Sequence, residues 1–299
     1  VKRVLNCLTA MIFLTAAAMG SPSIGGLQNN YSYQLPGTPN YGLSPGTIFI
    51  MYGSGMAPAG LLQQGFNPTL NKNLGGVSIK FTVNATVTEA IPYYVSPTQI
   101  AAILPSNTPV GNGTVTVTYL GQTSPPFAVV ISQSVFGIMT MGGNGIGQAA
   151  VMDLSYNLLS PSNSANPDQY LIFWGTGQGA DPNDETALIA APQNLVNLPF
   201  AFYIGGKSTE VLYHGRSAFP GLDQIIVKVP PGVTGCYVTA YARTGNFLSN
   251  FASVPIASTG KICTDYFSSA ADVQLVATQS VINTGYLSLG ATTQYMPGV

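Results

Sequence analysis

Val77, Ile79, Phe81 and Val83 alternate with Ser78, Lys80 and Thr82, so this segment is apolar on one side and polar on the other. A period of two is that of an extended chain, and it predicts a strand with one buried face. Val115, Val117 and Tyr119 alternate with Thr114, Thr116 and Thr118 in the same way. β-Branched and aromatic residues dominate these runs, which suits a pleated, half-buried surface. Clusters of Gly, Pro, Asn and Ser break them at about ten-residue intervals, the punctuation of a β-sandwich. After the N-terminal apolar run no stretch keeps a capped 3.6-residue period. The pattern predicts an all-β protein.

Several of these segments occur twice. Phe49 to Gly55 recurs as Leu171 to Gly177, Thr98 to Pro105 as Asp223 to Pro230, and Gly113 to Tyr119 as Gly235 to Tyr241. The offsets are 122, 125 and 122 residues. Three matches in one order at nearly one offset indicate a tandem duplication.

The first residues follow a different rule. Lys2 and Arg3 precede an apolar run from Val4 to Ala18, and small residues follow from Ala16 to Ser21. A basic start, a short apolar stretch and a small-residue exit predict a secretory signal peptide over residues 1–20, cleaved after Ala18 or Gly20. Spanning a bilayer takes about 20 apolar residues, more than this run offers. Cys7 lies ahead of most of the apolar stretch, where a lipoprotein cysteine does not belong. The expected location is extracellular or at the cell surface.

Composition narrows the function. The 299 residues include nine Lys and Arg and ten Asp and Glu, 6% charged, against roughly 25% in an ordinary soluble domain. Hydrophobic residues make up 46%, which supports a core and argues against disorder. So few basic residues leave no means of holding a phosphate backbone, and nucleic-acid binding is excluded. Few charges also mean little repulsion between copies, so weak polar and apolar contacts can govern association.

Each repeat resembles the TIG/IPT type of immunoglobulin-like domain. Pro45 and Gly46, Gly53 to Gly55, Thr98 to Pro105 and Gly113 to Val117 carry the likeness in the first copy. The pair is similar to the C-terminal domain family of Solibacter and other soil Acidobacteria. That likeness rests on Tyr94 to Ile100, Gly147 to Ala150, Gly175 to Gly179, Gly235 to Val238, Ser249, Asn250 and Cys263. It implies two tandem sandwiches over about residues 36–290, at the end of a secreted protein, with no assigned activity. In a bacterial chain the sequons at Asn30, Asn84 and Asn112 are coincidental.

Candidate chemistry is sparse. His214 is the single histidine, and its context of Tyr213, Gly215 and Arg216 predicts a polar loop. No nucleophile-elbow motif accompanies it, which disfavours a Ser-His-Asp site. One histidine is also too few for the usual catalytic zinc. Asp181, Asn183, Asp184 and Glu185 form the densest acidic cluster, and Asp181, Asn183 and Glu185 are the calcium candidates. The cluster lacks the glycine and distal glutamate of an EF-hand loop, so a solvated loop is the simpler reading. Gly142 to Gly147 fits no phosphate-loop spacing and predicts a flexible connector. Tyr52 and Trp174, equivalent in the two copies, predict packing at strand ends beside glycines. Sixteen tyrosines offer sugar-stacking candidates, but no spacing singles any out.

Cys236 opens a strand whose hairpin partner, residues 249–257, returns the chain to its start. Cys236 and Cys263 are therefore expected to form a disulfide, as an oxidising compartment allows. The predicted layout is a lead segment at 21–35, a first sandwich at 36–133 and a connector with a hairpin at 134–166. A second sandwich at 167–263 and a tail at 264–299 complete it. In that tail, residues 270–290 are expected to dock on the second sandwich, with apolar segments at Val273–Ala277 and Gly285–Leu289. The functional expectation is a non-catalytic, cofactor-free module that binds protein or carbohydrate outside the cell, or self-associates in adhesion or assembly. The alternative is an accessory carbohydrate-binding pair of a glycan-degrading system.

Overall fold

The computed structural model describes residues 20–65, 69–183, 185–187, 193–266 and 268–279. The predicted signal peptide lies, but for its last residue, outside the described residues, as do Asp184 and the segment Gly285–Leu289. The alternating segments form strands, and the chain is almost wholly β. The first half contains β1 (Ser23–Asn29), β2 (Ile48–Ser54), β3 (Leu62–Gln63), β4 (Ser78–Val83) and β5 (Thr86–Glu89). It continues through β6 (Ile91–Val95), β7 (Gln99–Ile103), β8 (Gly111–Tyr119), β9 (Gln122–Thr123) and β10 (Phe127–Ile131).

The second half opens with β11 (Gly137–Ile138), β12 (Val151–Asp153), β13 (Tyr170–Thr176), β14 (Gln193–Asn194) and β15 (Phe200–Ile204). There follow β16 (Lys207–Ser208), β17 (Val211–Arg216), β18 (Asp223–Lys228), β19 (Gly235–Thr244), β20 (Phe247–Leu248) and β21 (Ala252–Ile256). A short helix, α1, runs over Ala270–Thr278.

Two sheets make each sandwich. One sheet of the first sandwich orders β1-β2-β7-β6-β3, and its counterpart in the second orders β11-β13-β18-β17-β14 with β12 also on β13. The facing sheets order β10-β8-β4-β5 and β21-β19-β15-β16. Apart from small flanking strands, the strand order is the same twice. All named pairings are antiparallel, with bulges at Ile24/Gly26, Pro92/Tyr94, Val211/Tyr213 and Gly235/Val238.

Each sandwich buries its own core. Phe49 of β2 meets Phe81 of β4 edge-on, centroids 5.3 Å apart, across the first. Phe173 and Phe202, 4.7 Å apart, bridge the second. Burial of side chains of this size contributes roughly 1.5–3 kcal/mol each.

Two boundaries differ from the sequence expectation. The lead segment belongs to the first sandwich: β1 pairs with β2 over Ser23–Asn29 and buries Leu27. The segment 134–166 is not a connector either. β11 and β12 pair with β13, and Phe136, Ile138, Ala149, Val151 and Leu159 sit in the second core. The Gly142–Gly147 loop joins those two strands and is pinned, since Asn250 Nδ2 donates to the Gly145 carbonyl at 2.8 Å. Each sandwich thus begins with a strand whose short, irregular sequence carries no clear alternation.

Cys236 and Cys263 are bonded, their Cα atoms 5.1 Å apart. The apolar segment Val273–Ala277 lies within α1. Ser269 and Asp272 form a reciprocal capping box at its start, so the helix entry outweighs the β-propensity of the valines. Val273 of α1 is buried against the disulfide.

Candidate functional site

The second sandwich plugs into the first through Thr176 to Gly179. Asn29, at the end of β1, donates from Nδ2 to the Val135 and Thr176 carbonyls at 3.0 and 3.1 Å. Ser44 Oγ donates to the Gly177 carbonyl at 2.7 Å, and the Ile48 amide donates to Thr176 Oγ1 at 2.8 Å. Three polar bolts therefore hold one junction. The equivalent Gly53 to Gly55 of the first copy lies instead against the start of the described chain, near Gly20, Pro22 and Ser23.

Beneath that junction Arg216 is fully buried. Its Nε donates to Asp181 Oδ2 at 2.7 Å, its Nη1 to Asp223 Oδ1, and its Nη2 to the Gly179 carbonyl at 2.9 Å. One cation faces two carboxylates, and burial lifts the Asp223 carboxyl to about 6 despite the guanidinium. Gly46 lies against this cluster: a Cβ there would fall 1.8 Å from Arg216 Nη2, and its φ of +78° already favours glycine.

Asp181 and Glu185, two of the three calcium candidates, are buried, so the cluster is not the solvated loop that its sequence suggests. Asp181 is taken by Arg216 through one oxygen and by the Asn183 amide, at 2.7 Å, through the other. Glu185 Oε1 accepts the amide and hydroxyl of Ser106 in the first sandwich. The cluster is an inter-sandwich clasp, and a buried guanidinium beside it opposes a cation. Among the described residues no three His, Cys, Asp or Glu side chains converge on a metal position. His214 lies on β17, not in a loop, stacked on Phe200 at 4.6 Å with Nδ1 3.0 Å from Gln178 Oε1. Burial lowers its pKa, which favours the neutral ring.

The hairpin turn between Arg216 and Asp223 reaches across to the first sandwich. Gly221 seats on Ile48 and Ile103, where a Cβ would lie 2.7 and 3.2 Å from their side chains. Tyr93 donates its hydroxyl to the Pro220 carbonyl at 2.8 Å. Where this turn meets the outer face of the β2-β7-β6 sheet it leaves a trough of about 360 Å³. Tyr31, Tyr93 and Tyr94 line it from the first sandwich, Phe219 and Leu222 from the second, with the amides of Asn30 and Gln63 at its margin. Tyr33 and Tyr52 extend the aromatic surface beside Tyr94; burial first, and then the neighbouring phenols, oppose the ionisation of Tyr33 and Tyr52. Gln99 donates to the Tyr94 hydroxyl.

Tyr52 and Trp174 are therefore not core residues. Both point to the outer faces of their sheets, half-buried, while Phe49, Met51, Leu171 and Phe173 fill the cores. The trough residues carry no local sequence signal, because six separate segments supply them. Burial raises Tyr31 to about 12, with Asp223 adding to it, and also raises Tyr33, Tyr52 and Tyr93. The trough presents neutral phenols, ring faces and amides.

A larger depression of about 450 Å³ lies at the far end of the second sandwich, around Gly205, Gly232 and Gly235. Its two charged side chains are committed elsewhere: Lys207 donates to the Pro231 carbonyl at 2.8 Å, and Asp265 accepts the Cys236 amide at 3.3 Å. The trough is the better-equipped site.

No family model and no curated protein matches the chain. Among solved structures, a γ-CGTase from an alkalophilic Bacillus clarkii is 13% identical, covering 83% of this chain and 28% of its own, at a TM-score of 0.24. The SGBP-B of a Bacteroides ovatus mixed-linkage glucan utilization locus, solved with a heptasaccharide, is 13% identical over 72% of this chain and 42% of its own, at 0.29. A titin immunoglobulin tandem is 10% identical over 79% and 98%, at 0.19. This chain thus spans less than half the length of the first two. At those scores none of the three bears on function, and the tandem immunoglobulin-like sandwich rests on the strand order above.

Proposed function

We propose that this chain is an exported, non-catalytic module of the Acidobacteria-type tandem family, and that it binds carbohydrate outside the cell through the tyrosine trough. The observation that carries the reading is the gathering of Tyr31, Tyr93, Tyr94 and Phe219, with amides at the margin, over one sheet face. Aromatic faces offer the C–H side of a sugar ring a stacking surface, and amides and phenols exchange hydrogen bonds with its hydroxyls. The buried carboxylates Asp181 and Asp223 are both held by Arg216, which suits them to structure and not to acid–base work. Among the described residues no helix is long and apolar enough to cross a membrane. The test is a pull-down on insoluble polysaccharides, with Tyr94→Ala as the comparison. Retention of the wild type and loss in the variant are expected; equal retention of both would reject the trough as the site.

A second reading, adhesion or self-assembly, has its own observation. Tyr203 and Tyr241 stack at 4.9 Å on the outer face of β15 and β19, and Tyr241 contacts Phe251, itself 54% exposed. Tyr203 and Tyr241 are part-exposed and Phe251 is exposed, an aromatic surface suited to contact with another protein. Sedimentation of the wild type beside Phe251→Ser decides it: association lost in the variant supports assembly, and a concentration-independent monomer removes it.

A further inference from the structure

We infer that the trough selects uncharged polysaccharide and discriminates against polymers bearing carboxylate or sulfate groups. This rests on the carbohydrate reading above and names the ligand class of that site. No described residue lining the trough carries a formal charge. The charge desert extends further: residues 20–133 include only Lys72, Lys80 and Glu89 as charged side chains. Lys80 and Glu89 pair at 3.5 Å on the facing sheet. Lys72 lines a separate depression that it shares with Glu185.

The nearest cluster of ionised groups lies beneath the floor. There one guanidinium meets two carboxylates; Asp223 opposes the ionisation of Tyr31, while Arg216 favours that of Tyr93. An anionic sugar entering the trough would shed water and find no cation, with a surplus of buried negative charge below it. Acid-polymer recognition ordinarily uses Arg or Lys in contact with the anion, and none is present here. A neutral sugar meets only groups that can satisfy it.

A peptide is the rival occupant. The trough lies over a sheet face and not along a free edge, so an added strand would gain no backbone ladder. A proline-rich segment needs no ladder, and it stands as an outcome of the test.

Affinity electrophoresis of the full chain through neutral polymers (hydroxyethyl cellulose, galactomannan, mixed-linkage glucan) and carboxymethyl cellulose or pectate decides the matter. The expected result is retardation by at least one neutral polymer and roughly tenfold weaker retardation by its carboxylated counterpart. Affinity for the neutral polymer should change by less than about twofold between about 20 mM and about 500 mM salt, since screening has nothing to act on. Tyr94→Ala and Tyr52→Ala should each weaken it roughly tenfold, while Tyr156→Ala, in an exposed turn of the second sandwich, should not.

Equal or stronger binding of the acidic polymers, or an affinity that falls steeply with salt, would overturn the selectivity and leave the carbohydrate reading standing. Binding of a proline-rich peptide with no polysaccharide retained would overturn both.

Discussion

Arg216 has no access to water, so its charge is held entirely by Asp181, Asp223 and the Gly179 carbonyl. Such a pair adds little over an apolar substitute but is costly to break, because the surviving charges stay buried. Arg216→Met is expected to lose about 3–5 kcal/mol of stability in urea unfolding, by leaving two carboxylates unpaired. The cluster also sets a pH dependence. Asp223 titrates near 3.8 when unfolded and at about 6 when folded, so the folded protein holds the extra proton between those values. Its contribution to stability is therefore present on the acid side and is lost as pH rises through about 6. Glu185, raised by burial, acts in the same sense; His214, lowered by burial, opposes both. Two carboxyls outweigh one half-buried ring, so the thermal midpoint should be higher at about pH 5 than at about pH 7. Asp223→Asn should flatten that slope, and a midpoint that climbs steadily from about 5 to 7 would contradict the assignment.

At the scale of elements, the disulfide and α1 form one small unit at the far end of the second sandwich. The bond closes a loop of 27 residues, which on the chain-entropy model stabilises by about 3.5 kcal/mol. Replacing both cysteines by serine should lower the midpoint accordingly while leaving trough binding intact, as calorimetry and a binding assay on one preparation would show. Truncation after Asp265 removes only one buried side chain, Val273, among the described residues, so its expected cost is smaller, about 1–2 kcal/mol. The strands that alternate cleanly, β4 and β8, were legible because a period of two reports directly which face is buried. β1, β11 and β12 were not, because a strand of two or three residues, or one built of Ser, Gly and Gln, has no period to read. α1 carries no clear helical period either: its start is set by the Ser269–Asp272 cap, and its buried residue, Val273, packs against the Cys236–Cys263 disulfide. The trough was illegible for a different reason. Tyr31, Tyr52, Tyr94 and Phe219 become neighbours only through the strand order β2-β7-β6 and the docking of the second sandwich.

The duplication has not produced two independent beads. The same Gly-x-Gly strand end faces the chain's beginning in the first copy and the neighbouring sandwich in the second. Only the second copy carries Arg216 and Asp223, which brace the turn that reaches the trough. Polar bolts on several segments, from Asn29 to Ser106, fix how the two sandwiches meet. Because the trough draws Tyr94 from one sandwich and Phe219 from the other, binding depends on that fixed arrangement. Gly46 is where this can be tested without touching either core or the trough. A side chain there would drive into Arg216 Nη2 and would occupy a left-handed φ besides. Wild-type protein is expected to unfold in one calorimetric transition, because the junction couples the two cores. Gly46→Val should uncouple them into two transitions, and carbohydrate binding should fall with them although every trough residue is present. A single undivided transition in the variant, with binding unchanged, would mean that the sandwiches bind and fold as separate units.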